Sequence, residues 1–232
     1  MIKLINNDLE RLYLGNKAVI KAYLGDDLVY ELKPPEGYTR LSYIGYNSYK
    51  SNGPVVNTGL RPTNTRGMKI ILRHKYSNTS SYSFGARSGS STSNYVRFVF
   101  IRDGSNKFYV GWGKSLFPAA EDRPSWPKDT WATCELNFRN SRKWRFNEEE
   151  GDLTSTFSGY SSSGYSIRAF GFNQYSHNAD VQESIITDGE EVVQHWIAAR
   201  RESDGLVGMY DIINDNFSGD EDFIAGPNYV YP

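Results

Sequence analysis

The sequence predicts an all-β protein, an antiparallel β-sandwich preceded by a small N-terminal β-meander, and three observations carry that prediction. Aromatic residues make up 15% of the chain, with 17 Tyr, 12 Phe and 5 Trp, and such side chains suit a pleated, half-buried surface. Short runs of β-type composition recur between Gly-, Ser- and Asn-rich turn signals, which is the spacing of a sandwich or jelly roll. The alternating helices that a parallel sheet requires are missing. At 232 residues the chain can bury roughly 70% of the surface its unfolded form exposes, so a substantial core is available.

The first element is an internal repeat. Tyr13-Leu14-Gly15-Asn16-Lys17-Ala18-Val19 recurs as Tyr23-Leu24-Gly25-Asp26-Asp27-Leu28-Val29. Each unit joins strand-like residues to a turn whose Gly, Asn and Asp tolerate positive φ, which predicts a three-stranded meander over about 8–33. A rival helix around Leu9, Leu12 and Tyr13 would carry Gly15 and Gly25 in its interior at a cost of roughly 1 kcal/mol each. So small a sheet buries little alone and must lean on the main domain or on a partner. The adjacent prolines of Lys33-Pro34-Pro35-Glu36-Gly37 fix φ and remove ladder donors, so the boundary falls there, between a module at 1–33 and a domain at 34–232.

Within the domain, composition and turn signals place strands over 38–44, 68–75, 82–86, 95–102, 107–112, 132–138, 143–146, 165–172, 180–187, 207–212 and 222–225. The window 190–200 is ambiguous. Its apolar residues at 192, 193, 196 and 197 fit a helical face, yet the same stretch alternates as a strand covered on both sides would. Residues 77–94 in part and 114–129 are too rich in Ser and Pro to bury much and are expected as long surface loops, solvated or docked on a partner. Glu202-Ser203-Asp204-Gly205 is a turn, followed by a strand and a second reversal at Asn214-Asp215.

Composition excludes several function classes. Lys+Arg 26 against Asp+Glu 27 gives a net charge of -1, so there is no bulk field to neutralise a phosphate backbone and no nucleic-acid partner is expected. Mean hydropathy is -0.59, and no apolar run approaches the roughly 18–20 residues of a membrane span. The opening MIKLINNDLER does not read as a signal peptide. The single Cys134 makes no internal disulfide, and His74, His177 and His195 show no metal-ligand spacing, so no metal and no cofactor is expected.

Catalytic signatures are also missing. A glycosidase of sandwich fold needs two carboxylates on one strand facing the same way, about 5–5.5 Å apart for a retaining reaction. Glu150-Gly151-Asp152 and Glu202-Ser203-Asp204 lack the second Glu and read as turns. Cys134 lies in an alternating strand, where a buried structural thiol is the ordinary case. No nucleophile elbow or phosphate loop is present. Asp220-Glu221-Asp222 and 211–215 are the only clusters with the oxygens calcium would want, and both read better as solvated turns.

Binding is the function that remains open. Sugar recognition uses a flat aromatic against the apolar sugar face, with Asn, Asp or backbone amides for the hydroxyls. Trp112, Trp126, Trp131 and Trp144 are candidate platforms, Trp126 foremost because it stands in the Pro-rich Arg123-Pro124-Ser125-Trp126-Pro127. Asn173, His177, Asn178 and Asp180 form a polar stretch between two strands that can line a site.

Two groups of motifs, in order, carry a family resemblance. Pro35-Glu36-Gly37-Tyr38-Thr39-Arg40-Leu41-Ser42-Tyr43-Ile44, Val55-Val56-Asn57-Thr58-Gly59-Leu60 and Phe84-Gly85-Ala86-Arg87 resemble the opening of a concanavalin A-like (LamG-type) jelly roll, as found in gut-bacterial surface proteins and their phages. The stretch from Trp196 through Asp211, followed by Phe223-Ile224-Ala225-Gly226-Pro227, is similar to the closing segment of that family. The doubled Tyr-Leu-Gly unit resembles short N-terminal modules of phage virion proteins. The resemblance covers about 35–227 and implies two curved antiparallel sheets, a strand rather than a helix at 192–199, and segments 38–44 and 209–212 as neighbours. It further implies a non-enzymatic virion protein, assembled in the host bacterial cytoplasm. Such a protein would attach to other virion proteins through 1–33, display a lectin-like domain that either decorates the particle or adheres to host or mucosal glycans, and assemble as a homo-oligomer, a trimer if it is a fibre. A bacterial surface carbohydrate-binding module and a glycoside hydrolase of the same fold are the rival readings.

Overall fold

The computed structural model describes residues 12–14, 17–19, 21–24, 27–31, 33–48, 50–63, 65–75, 82–88, 96–113, 115–137, 143–154, 166–171, 175–176 and 178–231. No helix occurs among them, and every strand pairing is antiparallel.

The repeat forms two hairpins rather than a three-stranded meander. β1 (Leu12–Leu14) pairs with β2 (Lys17–Val19), and β3 (Lys21–Leu24) pairs with β4 (Asp27–Glu31). Two residues, Gly-Asn or Gly-Asp, stand between the strands of each copy. That is the length of a tight hairpin, so each copy closes on itself.

Beyond the prolines the larger sheet runs, in spatial order, β16 (Glu149–Asp152), β15 (Lys143–Phe146), β14 (Trp131–Asn137), β9 (Arg66–His74), β19 (Ala179–Asp188), β20 (Glu191–Arg201), β21 (Val207–Asp211) and β22 (Asn216–Gly219). β5 (Tyr38–Arg40) pairs with β20, while β6 (Ile44–Tyr46) pairs with both β19 and β23 (Ile224–Ala225). A second sheet runs β10 (Tyr82–Ser88), β11 (Val96–Arg102), β12 (Phe108–Gly113) and β13 (Ser115–Phe117). Two short pairs, β17 (Arg168–Phe170) with β8 (Val56–Asn57) and β18 (Tyr175–Ser176) with β7 (Lys50–Ser51), complete the described strands.

Alternation along β9 decides which face is core. Met68, Ile70, Leu72 and His74 are buried, while Lys69, Ile71 and Arg73 are half-buried on the opposite face. Met68, Ile70 and Leu72 share one apolar cluster with Cys134 and Leu136 of β14 and with Phe98, Phe100, Phe108 and Val110 of the second sheet. Phe108 of β12 stacks on Phe146 of β15 at 4.5 Å between ring centroids, so aromatic side chains join the two sheets. Burying each such ring contributes about 2–3 kcal/mol.

The ambiguous window is a strand. β20 places Trp196 and Ala198 in the main core and Ile197 and Ala199 in a second cluster with Tyr210 and Ile212, which is why its apolar residues satisfy two periodicities at once. Segments 38–44 and 209–212 do not pair. β20 lies between β5 and β21, because Ala199 pairs with Arg40 on one edge and Gly208 on the other. The rings of Tyr38 and Tyr210 nonetheless touch, at 4.6 Å. The two ends of the domain meet instead through β6 and β23 and the bridge Leu41–Asn228.

The Pro-rich stretch is anchored to the domain at 124, 126 and 129, while residues 119–122, 125 and 127–129 remain exposed. The backbone N–H of Phe108 donates to Pro124 O at 2.9 Å, that of Trp126 to Asn106 O at 2.6 Å and that of Asp129 to His74 O at 2.7 Å. Glu150 and Asp152, expected in a turn, lie on β16. There Glu150 pairs with Lys143 and Arg145 of β15.

Candidate ligand-binding site

On the outer face of the larger sheet, aromatic and charged side chains converge around Arg73. Arg73 points outward from β9. Directly opposite it in register stand Trp131 on β14 and Asp180 on β19, and Asp180 is in turn opposite Gly45 on β6. Tyr43, just before β6, brings its ring to 5.8 Å from that of Trp131, tilted by 56°. The Arg73 guanidinium lies 5.1 Å from the Tyr43 ring centre and 4.9 Å from that of Trp131. Such contacts are worth about 0.5–1 kcal/mol each at partly exposed sites, and they hold the two rings and the cation as one unit. Tyr43 and Trp131 are both half-buried.

Asp180 is the anchor. Its side chain is 0% exposed, with Arg73 Nε 2.6 Å from Oδ2 and Lys75 Nζ 2.5 Å from Oδ1. Burial opposes the charge of Arg73, but the hydrogen bond to Asp180 and the field of that acid outweigh it and raise the guanidinium's pKa further. Lys75 Nζ also donates to Asn47 Oδ1 at 3.1 Å, and the Lys75 backbone N–H donates to Asn178 O at 3.1 Å. The end of β9 is thereby tied on one side to Asn178 and on the other, through Asp129, to the strand that carries Trp131. Gly45 makes room for the acid, since a Cβ there would lie 2.3 Å from Asp180 Oδ1.

The sequence-derived candidates divide sharply. Trp112 and Trp126 are each 1% exposed and belong to the core, so neither ring presents a face to solvent. Trp112 packs on Phe98 at 5.6 Å. Trp126 plugs the core against His74 at 4.6 Å and Phe146 at 5.4 Å, its indole N–H donating to Thr130 O at 3.2 Å. The composition of the surrounding stretch suggested an exposed loop, but the backbone bonds of 124, 126 and 129 dock it and turn the Trp inward. Trp144 is 6% exposed beside Phe108. Of the four platform candidates Trp131 alone keeps an accessible ring. Asp180 is brought together with it across Arg73 and Asn178 reaches the edge of the group through its backbone carbonyl alone, whereas Asn173 and His177 lie outside the described residues.

Tyr43, Arg73, Lys75 and Asn47 were missed by the sequence reading. A local signal existed for Arg73, whose outward place follows from the alternation of 68–74. Nothing local pairs Tyr43 with Trp131, because that contact depends on the long-range register of β6, β19, β9 and β14.

Several acids elsewhere are engaged by neighbouring strands or turns. Hydrogen bonds from Lys143 and Arg145 hold Glu150 below the usual carboxylate range, and the hydrogen bond from Arg201 does the same for Asp204. Asp211 closes the 211–215 turn, its Oδ1 accepting the backbone N–H groups of His195 and Ile213 and its Oδ2 the Asn214 amide. Asp220 Oδ1 accepts the N–H of Asp222 at 3.0 Å. Among the described residues no group of three or more His, Cys, Asp or Glu side chains is placed to hold a metal ion.

Comparison with known proteins returns no family model that matches the chain, and no curated protein or solved structure that matches it significantly. The chemistry of the site therefore rests on its own geometry: two adjoining aromatic rings, a cation fixed between them, and an amide and a lysine at the edge. Aromatic faces with flanking polar groups of this kind suit a sugar ring.

Proposed function

We propose that this chain is a non-enzymatic, glycan-binding virion protein of a phage, with a concanavalin A-like jelly-roll domain at 34–232 that binds sugars at Tyr43 and Trp131. The observation that carries the binding reading is the half-buried Tyr43–Trp131 pair with Arg73 set against both rings. The jelly-roll assignment is supported by the wholly antiparallel strands and by the return of β23 to β6. The virion assignment is supported by the order of the opening and closing motifs in the sequence. Residues 1–33 attach the chain to other virion proteins, and the assembled form is a homo-oligomer, a trimer in a fibre.

A glycan array probed with the full chain tests the binding reading. Binding is expected for the wild type, and Trp131→Ala and Tyr43→Ala are expected to weaken it by roughly tenfold or more while the fold persists, the loss typical of a stacking contact. Undiminished binding by both variants would remove the site from the function, and turnover of any glycan would replace a binding protein with a hydrolase.

A further inference from the structure

We infer that the sugar bound at this site is an acidic one, with a carboxylate or sulfate group received by Lys75 and Arg73. The inference rests on the glycan-binding reading and narrows its ligand. Two cations, Arg73 and Lys75, share a single acid, Asp180. Among the described residues the other acid whose field reaches Arg73 is Asp129, and it pairs with Lys128 at 3.7 Å. One positive charge is left over beside the Tyr43–Trp131 rings.

The donors are also available. Arg73 engages Asp180 through Nε, and its terminal nitrogens bond no other described residue, which leaves their N–H groups for a further acceptor. Lys75 directs one hydrogen to Asn47 and approaches Asp180, and an ammonium carries three donors. Both cations reach water, at 27% and 23% side-chain exposure, while Asp180 has none. An incoming anion therefore meets the cations and is shielded from the acid. A neutral sugar would gain the ring contact and hydrogen bonds from these donors to its hydroxyl oxygens. A planar carboxylate or a sulfate gains in addition the attraction of its own charge to the left-over positive one, with both partners of each hydrogen bond ionised.

The experiment uses matched pairs: uronate oligosaccharides and their methyl esters, sialylated glycans and their asialo forms, sulfated glycans and their desulfated forms. The wild-type chain is expected to bind the acidic member of at least one pair roughly tenfold more tightly than the neutral member at low salt, with the preference shrinking at 0.5 M salt as screening rises. Lys75→Gln is expected to abolish the preference and Lys75→Arg to keep it, which separates lost charge from lost folding. The pairs identify whether carboxylate or sulfate is the group received. Equal affinity for both members of every pair would overturn the acidic-ligand inference while leaving the glycan-binding reading intact. No binding to any member would overturn both.

Discussion

Arg73 and Asp180 stand directly opposite each other on β9 and β19, with Nε 2.6 Å from Oδ2, the acid without exposure and the arginine still 27% exposed. The asymmetry sets how the pair responds to loss of either side. Asp180→Ala leaves two cations that can turn to water, which should cost about 1–3 kcal/mol. Removing both cations, in Arg73→Ala/Lys75→Ala, leaves an uncompensated buried carboxylate and should cost about 3–5 kcal/mol. Urea unfolding at neutral pH measures both, and the reverse ranking would contradict the burial of Asp180.

Gly45 is coupled to the same acid. A methyl group there would sit 2.3 Å from Asp180 Oδ1, and the carboxylate has no free direction in which to retreat. Gly45→Ala is expected to destabilise by about 1–3 kcal/mol, as overpacking does. Combined with Asp180→Ala, the added cost of the methyl should fall close to zero, because the clashing oxygen is gone. A double-mutant cycle on unfolding free energies reads this out; strict additivity would mean that the backbone, not the acid, excludes the methyl.

Two tryptophans five residues apart in sequence should behave in opposite ways. Trp126 is 1% exposed and touches His74, Phe108 and Phe146, so Trp126→Ala should lower stability by about 3–5 kcal/mol. Trp131 is half-buried and contacts Tyr43 and Arg73, so Trp131→Ala should cost about 1 kcal/mol. Thermal or chemical unfolding of the two variants side by side checks the contrast, and equal losses would place Trp131 in the core.

Sequence reasoning recovered what depends on local pattern. The strand over 143–146 appears with the same bounds, Lys143–Phe146, and the strand expected over 68–75 appears as Arg66–His74. It failed where tertiary contacts decide. Trp126 sits in a Pro-rich stretch that composition marks as exposed, yet three backbone hydrogen bonds made by residues 124, 126 and 129 to other segments pull it into the core. The reversal at Asn214-Asp215 leads into a strand that the sequence reading does not place, Asn216–Gly219, which pairs with β21 and extends the sheet. The site was legible only by halves: Trp131 and Asp180 were both singled out for their chemistry, but their meeting across Arg73 requires the register of three strands.

Asp103 organises the turn between β11 and β12. Its Oδ1 accepts the Ser105 N–H at 3.0 Å, the Ser105 hydroxyl at 2.6 Å and the Lys107 N–H at 3.0 Å, and Arg123 Nη1 lies 3.3 Å from Oδ2. Burial pushes its pKa upward, but the bonds from Ser105 and Lys107 and the Arg123 charge prevail and hold it below 3.8. A carboxyl whose folded pKa is depressed adds stability that is present above the unfolded value and lost as pH falls through the folded one. Asp103→Ala should therefore be less stable than wild type at pH 7 by about 1–3 kcal/mol, and the gap should narrow below pH 3.8. Unfolding curves collected from pH 7 to pH 2 test this, and a constant gap would leave the ionised carboxylate no part in the turn.

Cys134 gives the last test, of the core between the two sheets. It lies on β14 opposite Ile70 on one side and Phe146 on the other, with 0% exposure, and burial alone pushes its thiol well above the ordinary cysteine value. The thiolate is the reactive form, so the native protein should resist a thiol reagent at pH 8 and react fully once urea unfolds it. Reaction of the folded chain at the rate of a free cysteine would mean that the core opens readily at β14. Substitution separates packing from polarity at the same position: Cys134→Ser places a hydroxyl with no partner in an apolar cluster and should cost about 1–3 kcal/mol, a penalty specific to the oxygen. Cys134→Ala leaves only a small void and should cost less. A serine variant as stable as the alanine variant would show that a polar partner or water reaches this part of the interior.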